Sequence, residues 1–222
     1  MPAPPLDTML ERIGQIQAPL PAATVVLLGL AVLVVIVLPT WLVVQHADTI
    51  AHEGAHALVG SGLGGTIQSV TIKPNGSGET RSTKGGFLYL FVGYLGPGAF
   101  GLGAAKLISI GHIVAVLWLA LLLLAILLIT VRNVFGVCAV VLTGTVIYLF
   151  ARYGSIGSET ALAYVLTWLL LLSGFRSVLI YKGQGGDAPA LASRTHLPAR
   201  LWVGIWQLGA AAALLIGGKL LI

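Results

Sequence analysis

Two histidines and a glutamate define the chemistry open to this chain: His52-Glu53-Gly54-Ala55-His56. On a helix, residues four apart share a face, so His52 and His56 can offer imidazole nitrogens to one metal ion. Glu53 stands one position on and can reach a water held by that ion. Two imidazole ligands, a zinc-acidified water and a carboxylate base are the parts of a zinc hydrolase. The surrounding run, Ala51 to Leu58, is otherwise apolar. Ionisable residues in such a setting are costly to bury and mark function.

A catalytic zinc takes a third protein ligand besides its water. Cys138 is the one cysteine and lies in an apolar stretch. It can build neither a thiolate zinc site nor an intrachain disulfide, so the ligand must be a carboxylate or a histidine. The chain has seven acidic residues, few enough to sort by position. Asp7 and Glu11 are in the amino-terminal tail, and Glu79 is in a turn-rich segment after the motif. Glu159 and His112 fall at the opposite face of the membrane in the topology given below. Asp48 lies four residues before His52 and can orient an imidazole from behind. Asp187 falls on the motif's side, in Gly185-Gly186-Asp187-Ala188-Pro189. That context suits a third ligand or a helix N-cap, and both readings stand. His196 is the reserve ligand. His46, six residues before His52, points away from the ligand face but can line the mouth of a cavity.

The elements that must position these groups are apolar. Of 222 residues, 57% are hydrophobic and only 9% charged, against about 25% charged in soluble domains. The mean hydropathy is +0.99. The expected fold is an all-α polytopic membrane protein with about six transmembrane helices. The spans are residues 22–60, about 87–107, 112–131, 134–151, 160–180 and 200–221, each near or above the roughly 20 residues that cross a bilayer. Residues 22–60 exceed one simple span, and Pro39 inside them predicts either one kinked helix or two. Residues 1–21 read as an exposed tail with an amphipathic turn around Leu10–Ile16. They lack the basic start of a secretory signal. Residues 22–222 read as a single membrane-embedded domain.

After the motif, Gly60-Ser61-Gly62-Leu63-Gly64-Gly65 stops the helix. Ile67-Gln68-Ser69-Val70-Thr71-Ile72 is β-branched, Pro74-Asn75-Gly76 is a turn signal, and Glu79 to Thr83 can return. A small β-hairpin over about 66–83 is expected beside the motif helix. The dense glycines of Gly93-Tyr94-Leu95-Gly96-Pro97-Gly98 and Gly101 to Gly103 predict close helix packing near that helix. Arg132 and Asn133 read as a short turn between spans.

The net charge of +5 comes from basic residues scattered between the spans, which argues against a nucleic-acid partner. With six spans, Lys73, Arg81, Lys84, Arg132, Arg176, Lys182, Arg194 and Arg200 fall on one side, and Arg12, Lys106, Arg152 and Lys219 on the other. The positive-inside rule places the first side, and the motif with it, toward the cytoplasm of a plasma membrane.

Together, the His52-Glu53-Gly54-Ala55-His56 helix, residues 66–83 and Gly96-Pro97 resemble the site-2-protease-type intramembrane metallopeptidases, closest to their small bacterial branch. The resemblance covers residues 40–105 and, more loosely, Gly186–Trp202. It implies Zn2+, access from the cytoplasm, and hydrolysis of peptide bonds in or near the bilayer, with His52 and His56 as ligands and Glu53 as base. Such enzymes carry the third ligand in an Asp-Gly element. No Asp-Gly occurs here, and Gly186-Asp187-Ala188 is the nearest substitute. The chain has no room for an appended peptide-binding module.

The expected function is therefore an intramembrane zinc endopeptidase acting on membrane protein or peptide substrates. The alternative is a metal-binding membrane protein without proteolysis, a permease or sensor. A permease needs a polar path across the bilayer, and the later spans offer little beyond Thr143, Thr145 and Thr167.

Overall fold

The computed structural model describes residues 11–222, so Asp7 and Leu10 lie outside the described residues. Helix α1 is Ala22–Val37 and α2, which carries the motif, is Trp41–Gly62. They are two separate helices, their axes bent by 105°. The break has a local cause. Leu38 is extended, at φ −73° and ψ 172°, because the ring of Pro39 excludes the helical region for the residue before it. Pro39 itself has no N–H to continue the ladder.

After α2 come β1 (Ile67–Ile72) and β2 (Gly78–Ser82), then α3 (Phe87–Val92), a 3-10 turn at Gly93–Leu95, and α4 (Gly96–Ser109). Helices α5 (Ile113–Thr130), α6 (Val134–Tyr153), α7 (Ile156–Ile180), the short α8 (Asp187–Thr195) and α9 (Ala199–Leu221) complete the chain. Five stretches are long and apolar enough to cross a membrane, α3 with α4 counting as one. The bent α1–α2 pair makes a sixth if taken as one span. The all-α polytopic architecture therefore holds. Helix α7 begins four residues before the expected 160, since Ser155 accepts a hydrogen bond from the Ser158 N–H and caps the first turn.

The hairpin forms as expected, antiparallel, with Val70 opposite Thr80 and Ile72 opposite Gly78. Its turn needs Gly76, whose φ is +80°. The stretch at Val131–Asn133 is more than a turn. Val131 bridges Val70 in parallel, the Arg132 N–H donates to Val70 O at 2.9 Å, and Asn133 brackets Ile72. Its Oδ1 accepts from the Ile72 N–H at 3.1 Å and its Nδ2 donates to Ile72 O at 2.7 Å. One edge of the hairpin is thus sewn to the α5–α6 junction.

Small residues let the helices close on one another. Leu171 of α7 is buried in a notch made by Gly101 and Gly217, where a Cβ would stand 2.9 Å and 2.6 Å from its side chain. Gly96 lies against Ala51 and Ala55 of α2, so the glycine-rich segment both packs and neighbours the motif helix. At the far end of the bundle, residues 11–21 of the tail are largely exposed but tied down. Arg12 pairs with buried Glu159 at 2.7 Å, and Gln17 Oε1 accepts from the N–H groups of Ile113 and Val114 at 2.9 and 3.2 Å. Residues Glu11–Gly14 form a helical turn there.

Candidate metal centre

Helix α2 presents His52 and His56 on one face, one turn apart, as the spacing requires. The chain returns to that face from α7 through a loop with left-handed glycines at Gly183, Gly185 and Gly186, which sets Asp187 at the start of α8. Gly186, not Asp187, occupies the N-cap, and no side chain caps this helix. Asp187 instead turns its Oδ2 to the histidines, 3.3 Å from His52 Nε2 and 3.2 Å from His56 Nε2. The two Nε2 atoms are 3.1 Å apart. Burial would raise the Asp187 pKa. The hydrogen bond from His52 outweighs that and holds the carboxyl well below the usual carboxylate range.

These three atoms can be tested for what they would hold. His56 Nδ1 lies 2.7 Å from Tyr89 O. A carbonyl only accepts, so Nδ1 carries the proton, and in the neutral ring Nε2 is left with a lone pair. That lone pair faces an ionised carboxylate oxygen, and a cation between them relieves the repulsion. Tetrahedral zinc with bonds of about 2.0–2.1 Å would set neighbouring ligand atoms about 3.3 Å apart. The observed edges of 3.1, 3.2 and 3.3 Å fit that triangle. Among the described residues, His52, His56 and Asp187 are the one such cluster.

Glu53 is buried beside this cluster and is held by the hairpin. Thr80 Oγ1 donates to Glu53 Oε2 at 2.6 Å. Thr80 is in turn fixed by the Tyr89 hydroxyl, which donates to Thr80 O. Tyr89 therefore serves twice, with its carbonyl on His56 and its hydroxyl on β2. Tyr94 stands edge-on to His52, with ring centroids 4.7 Å apart. Two glycines make room: a Cβ at Gly78 would collide with Glu53, and one at Gly93 would come within 2.7 Å of His52 Nε2. The site opens into a cavity of about 700 Å3 that runs along the first half of α2, between the hairpin turn and the glycine loop. Glu79 lines its rim, where the hydrogen bond from Arg81 at 2.8 Å keeps its carboxyl below the usual range.

The remaining sequence candidates fall elsewhere. Asp48 does not orient an imidazole. It accepts from Ser173 Oγ at 3.0 Å and from Ser177 Oγ, both on α7. The imidazole partner is the backbone carbonyl of Tyr89, which no side-chain pattern announces. His46 packs edge-on against Phe135, with centroids 5.0 Å apart, and does not line the cavity. His196 is exposed at the far end of α8, as its left-handed C-cap at φ 59°. Glu159 is bound to Arg12 at the opposite end of the bundle. Thr80, Tyr89 and Gly93 were not singled out by type or spacing, although the glycine density around Gly93 pointed to close packing there.

No curated protein and no solved structure matches the chain. The sequence profile of the Peptidase M50B-like family matches residues 24–217, which include every residue of the cluster. With that match over most of its length and its set of membrane-spanning helices, the chain belongs to the Peptidase M50B-like family of membrane peptidases.

Proposed function

We propose that the protein is a zinc-dependent endopeptidase that cleaves peptide bonds of membrane proteins or membrane-associated peptides. The observation that carries this reading is the convergence of His52 Nε2, His56 Nε2 and Asp187 Oδ2 on one point beside the buried carboxylate of Glu53. His52, His56 and Asp187 hold the metal. Zinc bound there supplies Lewis-acid polarisation of the scissile carbonyl and lowers the pKa of water. Glu53 takes the proton of the attacking water and passes it to the leaving amine. The hydrogen bond from Thr80 keeps one of its oxygens fixed while the other works. Tyr89 O holds His56 in the tautomer that offers Nε2.

An extended substrate is offered the outer edge of β2. Val70 O and both backbone groups of Ile72 are taken by Arg132 and Asn133. Their partners Thr80 and Gly78 in the antiparallel ladder therefore turn their own backbone groups outward, along the cavity; Thr80 O is taken by the Tyr89 hydroxyl, which leaves the Thr80 N–H and both groups of Gly78. Lys73, Arg81, Lys84, Lys182 and Arg194 flank the site in the hairpin and the α7–α9 connection. Lys106, Arg152 and Lys219 end α4, α6 and α9 at the other pole. This asymmetry supports an active site facing the cytoplasm.

The test is Glu53→Gln in purified protein, with zinc measured by elemental analysis and cleavage measured on a reconstituted single-span reporter. Zinc should stay stoichiometric while cleavage falls by about 100-fold or more, the usual scale of general-base catalysis. Cleavage at the wild-type rate would sink the proposal.

A further inference from the structure

Asp48 is buried, carries a carboxylate into the protein interior, and has no part in the chemistry above. Its two oxygens are divided between two serines of α7. Ser173 Oγ donates to Oδ1 at 3.0 Å, and Ser177 Oγ donates to Oδ2. Ser173 and Ser177 are one turn apart on α7, just as Asp48 and His52 are one turn apart on α2. One carboxylate therefore fixes how far α7 can slide along the metal helix. The consequence lies downstream. Three residues after Ser177, α7 ends at Ile180, and seven residues later the chain delivers Asp187. The intervening loop is short and is itself braced. Tyr181 stacks on Tyr94, with ring centroids 4.5 Å apart, and its hydroxyl donates to Gly185 O at 2.5 Å. Because the loop transmits the position of its start, a shift of α7 along α2 moves Asp187 Oδ2 relative to the two imidazoles.

We infer that Asp48 is a positioning residue: through Ser173 and Ser177 it sets the register of α7 on the metal helix and thereby the placement of Asp187 as a metal ligand. This rests on the metal-site reading above. The clamp costs a buried carboxylate, and apolar packing alone would hold α7 against α2 more cheaply. What apolar packing does not provide is a single register, because ridges and grooves repeat along a helix.

The experiment is zinc affinity by chelator competition on the full-length protein in detergent, backed by the absorption spectrum of the Co2+-substituted protein. Asp48→Ala, Ser173→Ala/Ser177→Ala and Asp48→Asn are each compared with wild type, and Asp48→Ala is repeated in an Asp187→Ala background. Freed serine hydroxyls can bond back to their own helix, so Asp48→Ala leaves no stranded donor. We expect Asp48→Ala and the double serine variant each to weaken zinc binding by about tenfold or more, the scale for groups that orient metal ligands. Asp48→Asn, which can still engage both hydroxyls, should recover most of that loss. In the Asp187→Ala background the effect of Asp48→Ala should vanish, since the residue it acts through is gone.

Wild-type affinity in Asp48→Ala overturns the inference, as does an undiminished effect in the Asp187→Ala background. So does wild-type affinity in the serine variant when Asp48→Ala is weak, because Asp48 would then act on His52 by charge alone. Loss of zinc in His52→Ala and His56→Ala, alongside any of these outcomes, would leave the metal-site reading intact. A wild-type protein that binds no zinc would overturn both.

Discussion

Thr80 Oγ1 donates to Glu53 Oε2 at 2.6 Å, across a gap of 27 positions in the chain, and so joins the hairpin to the motif turn of α2. The same hydroxyl also lies 3.3 Å from Glu53 O. A hydrogen bond to a charged acceptor contributes about 1.5–3 kcal/mol, and here it fixes the rotamer of the proposed base. Thr80→Val keeps the β-branched shape and removes the hydroxyl. It should lower kcat by about tenfold or more, matching the lower end of that range, with zinc content unchanged. Thr80→Ser should restore most of the rate. A Thr80→Val enzyme with wild-type kcat would mean that Glu53 is positioned by other contacts.

Gly93 faces the metal cluster from the 3-10 turn between α3 and α4. Its φ is ordinary, so alanine there brings no backbone strain, only a methyl group. That methyl would stand 2.7 Å from His52 Nε2 and closer still to His56 Nε2. Gly93→Ala should therefore cut zinc affinity at least tenfold, as displaced ligands do, while the helical far-UV signal stays the same. Elemental analysis after dialysis against a weak chelator reads the outcome. Full retention of zinc would show that the histidines can swing aside without losing the metal.

The motif was legible because its geometry is local: two residues four apart on any helix share a face. The hairpin was legible for a similar reason, since β-branched runs about Pro74-Asn75-Gly76 favour one local structure. Asp187 could be narrowed by position because carboxylates are scarce in an apolar chain, but its choice between cap and ligand was not readable. The glycine before it, at φ 69°, takes the cap and frees the side chain. The partners of Asp48 and Glu53 were out of reach because they arrive from elements distant in sequence. Ser173 is 125 positions from Asp48, and which α7 face meets α2 depends on the 105° bend after α1. Proline marked where that bend falls but not its size or direction.

Gly186 carries that placement. At φ 69° and ψ −143° it occupies a region open essentially to glycine alone, which costs other residues about 1–3 kcal/mol. Its neighbour in the chain is the proposed ligand itself, so relief of the strain would rotate Asp187. Gly186→Ala should weaken zinc binding by about tenfold, equivalent to about 1.4 kcal/mol, with a smaller change in thermal stability. Gly186→Asn should fare no better than alanine, because asparagine tolerates the left-handed helical region and not a ψ of −143°. Equal affinity in all three proteins would remove the glycine from the account.

Asn133 holds the hairpin in place from its other side. Its amide makes both hydrogen bonds to the backbone of Ile72 that a neighbouring strand would make, at 3.1 and 2.7 Å. Ile72 is fully buried and pairs with Gly78, the residue against which Glu53 packs. Asn133→Ala strands one N–H and one C=O, at about 1 kcal/mol each. The hairpin lies at the surface of the helical bundle, so the loss should fall on local opening of the hairpin more than on global unfolding. Amide exchange across Ile67–Ser82 should accelerate by about tenfold or more, in keeping with roughly 2 kcal/mol, while exchange in α7 and α9 stays unchanged. Cleavage should fall in parallel, because Thr80 travels with the strand that loosens. Faster exchange with undiminished cleavage would separate the hairpin from the positioning of Glu53 and contradict the role assigned to Thr80.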